Sequence, residues 1–228
     1  MPRKTALRWR AQYRIIPTQY PLVDLFERSD LTEREKRALF YSMRRVNPRL
    51  RHLAGDVSLV RNGDMVHGAN ATIVMAAFTH TGYPMRFSNG SYGVYYAART
   101  QETAIRETVY HTEREARMAR LVPQAFHRRV FIGKIAKSFY DVRGAGYAGL
   151  HERNNYSTPQ GFAQSLRSAD VDAWGIVYHS VRHAGGDCIA ALRPLGVTLP
   201  THGPHLFYAW DGTKITAAFE QSEPLITF

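Results

Sequence analysis

An arginine, a pair of tyrosines and a glutamate lie close together in the chain. Arg86 precedes a Ser88-Asn89-Gly90 turn, Tyr95 and Tyr96 follow in a short strand-like run, and Glu107 sits on a helix opening near Thr100. Arginine binds phosphates through a fixed fork of donors. Tyrosine offers a flat face to a heteroaromatic ring. A carboxylate at the edge of an apolar face can stabilise a developing cation. One short unit therefore holds an anion grip, a stacking surface and a carboxylate. The same side chains also read as a surface arginine, strand aromatics and a solvated glutamate, and the chemistry alone leaves both readings open.

Other motifs are weaker. Gly144-Ala145-Gly146-Tyr147-Ala148-Gly149 matches G-x-G-x-x-G, but pyrophosphate binding needs a helix to open there. The Leu150–Pro159 stretch reads as breaking a helix, so a flexible loop is expected. His179 and His183 have a helical metal spacing but fall on a strand and its turn, with no acidic partner between them. Ser180 lacks the flanking glycines of a nucleophile elbow. The single cysteine, Cys188, excludes a disulfide framework and a cysteine-based zinc site, and suits a reducing cytoplasm.

These residues need elements to position them. A helix is expected after Asp30, capped by it with Glu33 as the return partner, striped by Ala38, Leu39, Met43 and Val46 and stopped at Asn47-Pro48. A second runs from about Thr100 to Leu121, with a Glu102–Arg106 pair outside and Ala104, Ile105, Thr108 and Val109 inside; Glu107 borders that stripe. Strands are expected at Val94–Ala98, Arg129–Ile135, Gly175–Val181, Cys188–Leu192, His205–Trp210 and Lys214–Phe219, with turns at Gly185-Gly186-Asp187 and Asp211-Gly212. This is an α+β pattern, and no linker divides the 228 residues, so one domain over residues 1–228 is expected.

Hydrophobic residues make up 44% and charged residues 21%, which excludes a disordered tail, a collagen or a coiled coil. The longest apolar run, Ile73 to Phe78, is too short for a membrane helix, and the basic opening has no secretory apolar core. Net charge is +11, with +8 in residues 1–55, +5 in residues 99–153 and −2 in residues 154–228. A basic N-terminal third suits nucleic acid, an acidic protein or a phosphorylated molecule, or is simply a solvated face.

Together the motifs resemble the RES-domain family, toxins of bacterial toxin–antitoxin pairs whose partner is an Xre-type helix-turn-helix antitoxin. The likeness rests on Tyr13–Ile16, Ala76–His80, Arg86–Ala98, Thr103–Thr108, Gly175–Arg182 and Gly185–Leu192, in order from about residue 13 to 212. Residues 20–70 read as an insertion of a longer subgroup, which puts Arg14 72 residues before Arg86. The resemblance implies a mixed-sheet core similar to the ADP-ribosyltransferase fold of the diphtheria-toxin type. It implies NAD as a substrate cleaved at the nicotinamide–ribose bond, with water, inorganic phosphate or a protein as acceptor, and no cofactor. It assigns Arg86, Glu107 and Ser180 to catalysis and Arg14 and Tyr96 to substrate binding, with no metal. It implies an Xre antitoxin as partner, DNA contact only through that antitoxin, and leaves open a homodimer within a larger complex. A protein ADP-ribosyltransferase with the same site, and a basic nucleic-acid binder (pI ≈ 10.0), are the rival functions.

Overall fold

The computed structural model describes residues 1–18, 23–43 and 54–221. Among these residues nine strands form one mixed sheet: β1 (Lys4–Thr5), β2 (Gln12–Pro17), β3 (Tyr95–Ala98), β4 (Gln124–Gly133), β5 (Phe139–Asp141), β6 (Gly175–His179), β7 (Asp187–Ala191), β8 (Thr201–Trp210) and β9 (Ile215–Glu220). The order is β1-β5-β6-β7-β3-β2-β4-β8-β9. Only β5 and β6 run parallel; every other pair is antiparallel. The expected α+β architecture on a mixed sheet is borne out.

Helices cover both faces, which is why β7 is buried along its whole length and β6 along all but its last residue. On one face Ile15, Val130, Ile176, Tyr178, Cys188 and Ala190 pack beneath α4 (Gln101–Met118) and α5 (Ser157–Ala169). On the other, Tyr95, Val177, Ile189 and Ala191 pack beneath α1 (Asp24–Glu27), α2 (Glu33–Met43) and α3 (Ala71–Thr79). The described part of residues 20–70 thus belongs to the covering of this second face.

The α2 cap is not the expected one. Arg28 takes Asp30 through two bonds, so Thr32 becomes the cap: its N–H and hydroxyl donate to Glu35 Oε2, and Glu35 N–H returns to Thr32 Oγ1. The buried face is Lys36 and Phe40, while Ala38 is exposed. Val46 and Asn47-Pro48 lie outside the described residues. Helix α3 was not anticipated; it is buried nearly all round, and Glu27 caps it by accepting from Asn70 N–H and Thr72 N–H. Gly93 lets the chain cross α3 closely, since a Cβ there would stand 2.2 Å from Ala77 O.

Helix α4 follows the expectation. Thr100 Oγ1 accepts from Thr103 N–H, and Glu102 pairs with Arg106 at 2.8 Å. The glycine run forms a 3-10 turn over Ala145–His151, and α5 opens only at Ser157. The expected helix break therefore ends sooner than Pro159, which sits in the first turn of α5, where a missing N–H costs nothing. Strands β2 and β3 meet only at Tyr13 and Ala98.

Candidate functional site

The loop before β3 is folded by its own side chains. Met85 and Ser88 pair through main-chain bonds in both directions. Ser88 Oγ donates to Tyr92 O, and Asn89 Oδ1 accepts from Ser91 N–H. Phe87 is held at both ends by tyrosines: its N–H donates to Tyr96 Oη at 2.9 Å, and its carbonyl accepts from Tyr92 Oη at 2.7 Å. Gln160 of α5 donates to the carbonyls of Met85 and Ser88. This wiring aims Arg86 inward, where it is 6% exposed. Arg86 Nη1 donates to Leu150 O and Glu152 O at 3.0 and 2.9 Å, and its guanidinium lies 5.0 Å from the Tyr156 ring centre. Arg86 Nη2 is buried with no hydrogen-bond partner. A buried, cationic donor without an acceptor is a site for an anion.

Glu107 stands on the second turn of α4, and Ser180 just past the end of β6. Ser180 Oγ donates to Glu107 Oε1 at 2.5 Å. The same oxygen accepts the main-chain N–H groups of Arg182 and His183, at 3.1 and 2.9 Å. With its proton given to a carboxylate and its lone pairs taken by amides, Ser180 orients Glu107 and is not primed to attack. The turn carrying it is pressed onto α4: His183 Nδ1 lies 2.9 Å from Thr103 Oγ1, and a Cβ on Gly186 would meet the Thr103 side chain at 2.8 Å.

Tyr178 and His111 join this cluster and were not picked out from the sequence. The Tyr178 ring meets Phe87 edge to face at 4.9 Å. Burial, then the charges of Cys188, Glu107 and Tyr96, hold its phenol well above the usual value, with Arg86 opposing. It therefore stays neutral, as does Tyr96, whose phenol is raised mainly by burial. His111 lies one turn beyond Glu107; burial, then Arg114, Arg182 and Arg86, lower it to about 4, so it is neutral at neutral pH. The i, i+4 spacing of Glu107 and His111 was the available signal for His111. For Tyr178 it was the shared strand face with Ile176.

The structure brings Arg86, Tyr96, Glu107 and Ser180 to one side of the sheet. Arg14 alternates to the other side. Its guanidinium stacks 4.5 Å from the Tyr95 ring centre, and its link to the cluster is one bond, from Nη1 to Tyr96 O at 3.0 Å. Burial lowers its pKa, and its Nε is buried without a partner. His179 pairs with Asp187 at 3.0 Å while His183 turns to Thr103, so the two do not converge. Among the described residues no group of three or more His, Cys, Asp or Glu could hold a metal ion. Cys188 is buried and its thiol is pushed well above its usual pKa, first by burial, so it is not a thiolate. Among the described residues no helix is long and apolar enough to cross a membrane.

A serine-held carboxylate and a buried arginine with a free donor stand on the same face, with neutral aromatic side chains around them. That suits an anionic substrate whose reacting centre gains positive charge.

No curated protein matches the chain. Among solved structures, a chain in the crystal structure of the M. tuberculosis MbcT-MbcA toxin-antitoxin complex aligns at 9% identity and a TM-score of 0.37, over 60% of this chain and 72% of that one. The RES domain family model matches residues 64–211, a span that contains Arg86, Tyr96, Glu107 and Ser180 and leaves out Arg14. That match spans well over half of the sequence, and the chain belongs to the RES-domain family.

Proposed function

We propose that this protein is a toxin that destroys NAD by breaking its nicotinamide–ribose bond, and that an Xre-type antitoxin neutralises it. The observation that carries the reading is the 2.5 Å bond from Ser180 to Glu107, on the same face as the free Nη2 of a buried Arg86. The leaving group is a pyridinium, so the bonding pair departs with nicotinamide, which becomes neutral and needs no acid to protonate it. The ribose is left as an oxocarbenium-like cation. A single carboxylate suffices for this, in contrast to the paired acid and base of glycosidases.

Glu107 stabilises the ribose cation or holds its hydroxyls and the acceptor. Ser180 fixes the carboxylate. Arg86 Nη2 takes a pyrophosphate oxygen or an acceptor phosphate. Tyr96 supports the nicotinamide or ribose through its ring. Arg14 acts at one remove, by holding the Tyr96 carbonyl from the far side of the sheet. The acceptor, water or phosphate, then closes on the ribose carbon and loses a proton. The basic N-terminal third suits docking by an acidic or neutral antitoxin tail that blocks the NAD cleft, DNA is reached only through the antitoxin, and the buried thiol suits the cytoplasm.

The test is purified protein with NAD labelled in the adenosine half, with and without inorganic phosphate. Nicotinamide release with free ADP-ribose identifies a glycohydrolase, ADP-ribose-1″-phosphate a phosphorylase, and label on protein a transferase. No nicotinamide release under any of these conditions, together with steeply salt-dependent nucleic-acid binding, would overturn the reading in favour of a nucleic-acid binder.

A further inference from the structure

The run Gly144–Tyr156 opens no α-helix at its glycines, yet it supplies both carbonyls that hold Arg86 Nη1. His151 lies between those two residues. Its Nδ1 is 3.0 Å from Tyr147 O, and its Nε2 accepts His179 N–H at 3.1 Å. A carbonyl only accepts and a main-chain amide only donates, so this geometry needs the proton on Nδ1 and a neutral ring. A Cβ on Gly144 or Gly146 would meet nothing within 4 Å, so close packing does not fix the run there. It is tied down by His151, the buried Leu150, Arg86 itself, the packing of Tyr147 against the core, and a bond from Arg182 Nη2 to Arg153 O at 2.9 Å; of these, His151 alone bonds a main-chain group of β6.

We propose that His151 is a positioning residue for Arg86: its neutral imidazole, bridging Tyr147 O and His179 N–H, fixes the Leu150 and Glu152 carbonyls and thereby aims Nη2 at the substrate anion. This rests on the NAD reading above and adds to it a residue and a pH dependence. Protonating Nε2 would set an N–H against an N–H and break the link to β6. The groups facing the ring are few. From β6 comes the His179 ring, 5.7 Å away, whose Nδ1 pairs with Asp187 of β7; Asp187 is itself paired with Arg143 and Arg99. From the loop before β3 comes Arg86, and in its own segment Glu152 and Arg153 follow it in sequence with exposed side chains. Burial lowers the His151 pKa, the bond to Tyr147 opposes, and His179 and Arg86 lower it further. The hold is therefore present at neutral pH and lost as pH falls through a value below the ordinary histidine range.

The experiment follows kcat and KM for NAD from about pH 4 to 8, with thermal melts as a check on folding. The parent should lose activity on the acid side. In His151→Ala, KM at neutral pH should rise by up to about tenfold, the scale of one lost hydrogen bond, with a smaller change in kcat. His151→Gln, whose amide oxygen can accept His179 N–H without titrating, should remove the acid-side rise in KM. His179→Gln keeps that main-chain N–H and should leave the acid-side rise in place. In parallel, the His151 ring should show an unprotonated Nε2 by nitrogen NMR at neutral pH, and the His179 amide should resist exchange in the parent but not in His151→Ala. An acid-side rise that survives in His151→Gln, or an unchanged KM in His151→Ala, overturns the proposal. If the parent consumes no NAD, the functional reading falls by itself, and an unprotected His179 amide or a protonated Nε2 overturns the positioning role independently.

Discussion

Glu107→Gln is the sharpest perturbation of the site because it separates charge from shape. The amide oxygen of glutamine can still accept the Ser180 hydroxyl that now lies 2.5 Å from Glu107 Oε1. Ser180 would also keep its two main-chain donors, Arg182 and His183. The position lies within α4 and is half-buried, and the bond it accepts is only weakened, so stability should change by about 1 kcal/mol at most. What disappears is one negative charge beside a developing cation. Losing a single preorganised electrostatic group of this kind costs about 10²–10³ in turnover. The assay is nicotinamide release at saturating and limiting NAD, next to a thermal melt. The expected pattern is a collapse of kcat with KM and the melting temperature nearly unmoved, since the interaction is made in the transition state. A variant that melts like the parent and turns NAD over at the parent's rate would refute the role given to this carboxylate.

Three further outcomes follow from the packing. Tyr96→Phe keeps the ring but strands the Phe87 N–H, which should cost about 1–3 kcal/mol; a melt unchanged from the parent would show that this amide has found another acceptor. Arg193 grips Asp64 with two bonds of 2.7 and 2.6 Å, and Asp64 is 1% exposed, so Arg193→Met should leave a buried charge at a cost of about 3–5 kcal/mol. Calorimetry should read this as a melting temperature lower by about 6–20 °C, and the double replacement with Asp64→Asn should recover part of it. Asp170, bonded to Lys4 and Tyr140, has its carboxyl lowered to about 2, so its contribution is complete above the usual carboxylate range and is lost as pH falls towards 2. Asp170→Asn should flatten acid unfolding across that window, and an acid limb identical to the parent's would contradict the assignment.

Much of the candidate site's face was legible because its parts are local. Thr100 with its charged and apolar stripes announced α4, and the glycine turns announced the β6–β7 and β8–β9 hairpins. Helix α3 escaped because a helix buried nearly all round has no stripe to read. Strand β2 escaped because its neighbours β3 and β4 lie some 80 and 115 residues downstream. The shift of the α2 cap from Asp30 to Thr32 turned on which side chain Arg28 would occupy, a choice that spacing does not settle. The partners of Arg86 lie 64 and 66 residues away and are carbonyls, groups every residue carries, so no residue type signals them. Arg14 was expected beside the others; strand alternation carried it through to the opposite side.

That placement has a mechanical consequence. The sheet is stitched between β2 and β3 by a single main-chain rung, Tyr13 with Ala98, to which side chains add a bond from Arg14 Nη1 to the Tyr96 carbonyl and one from Gln12 Nε2 to Tyr95 Oη. Along most of β3 the edge turned towards β2 therefore lacks its main-chain ladder, and a seam so joined resists bending less than a fully laddered pair of strands. Tyr96 stands on one lip of that seam, and a change in the angle between the two half-sheets would swing its ring relative to everything anchored on β2 and β4.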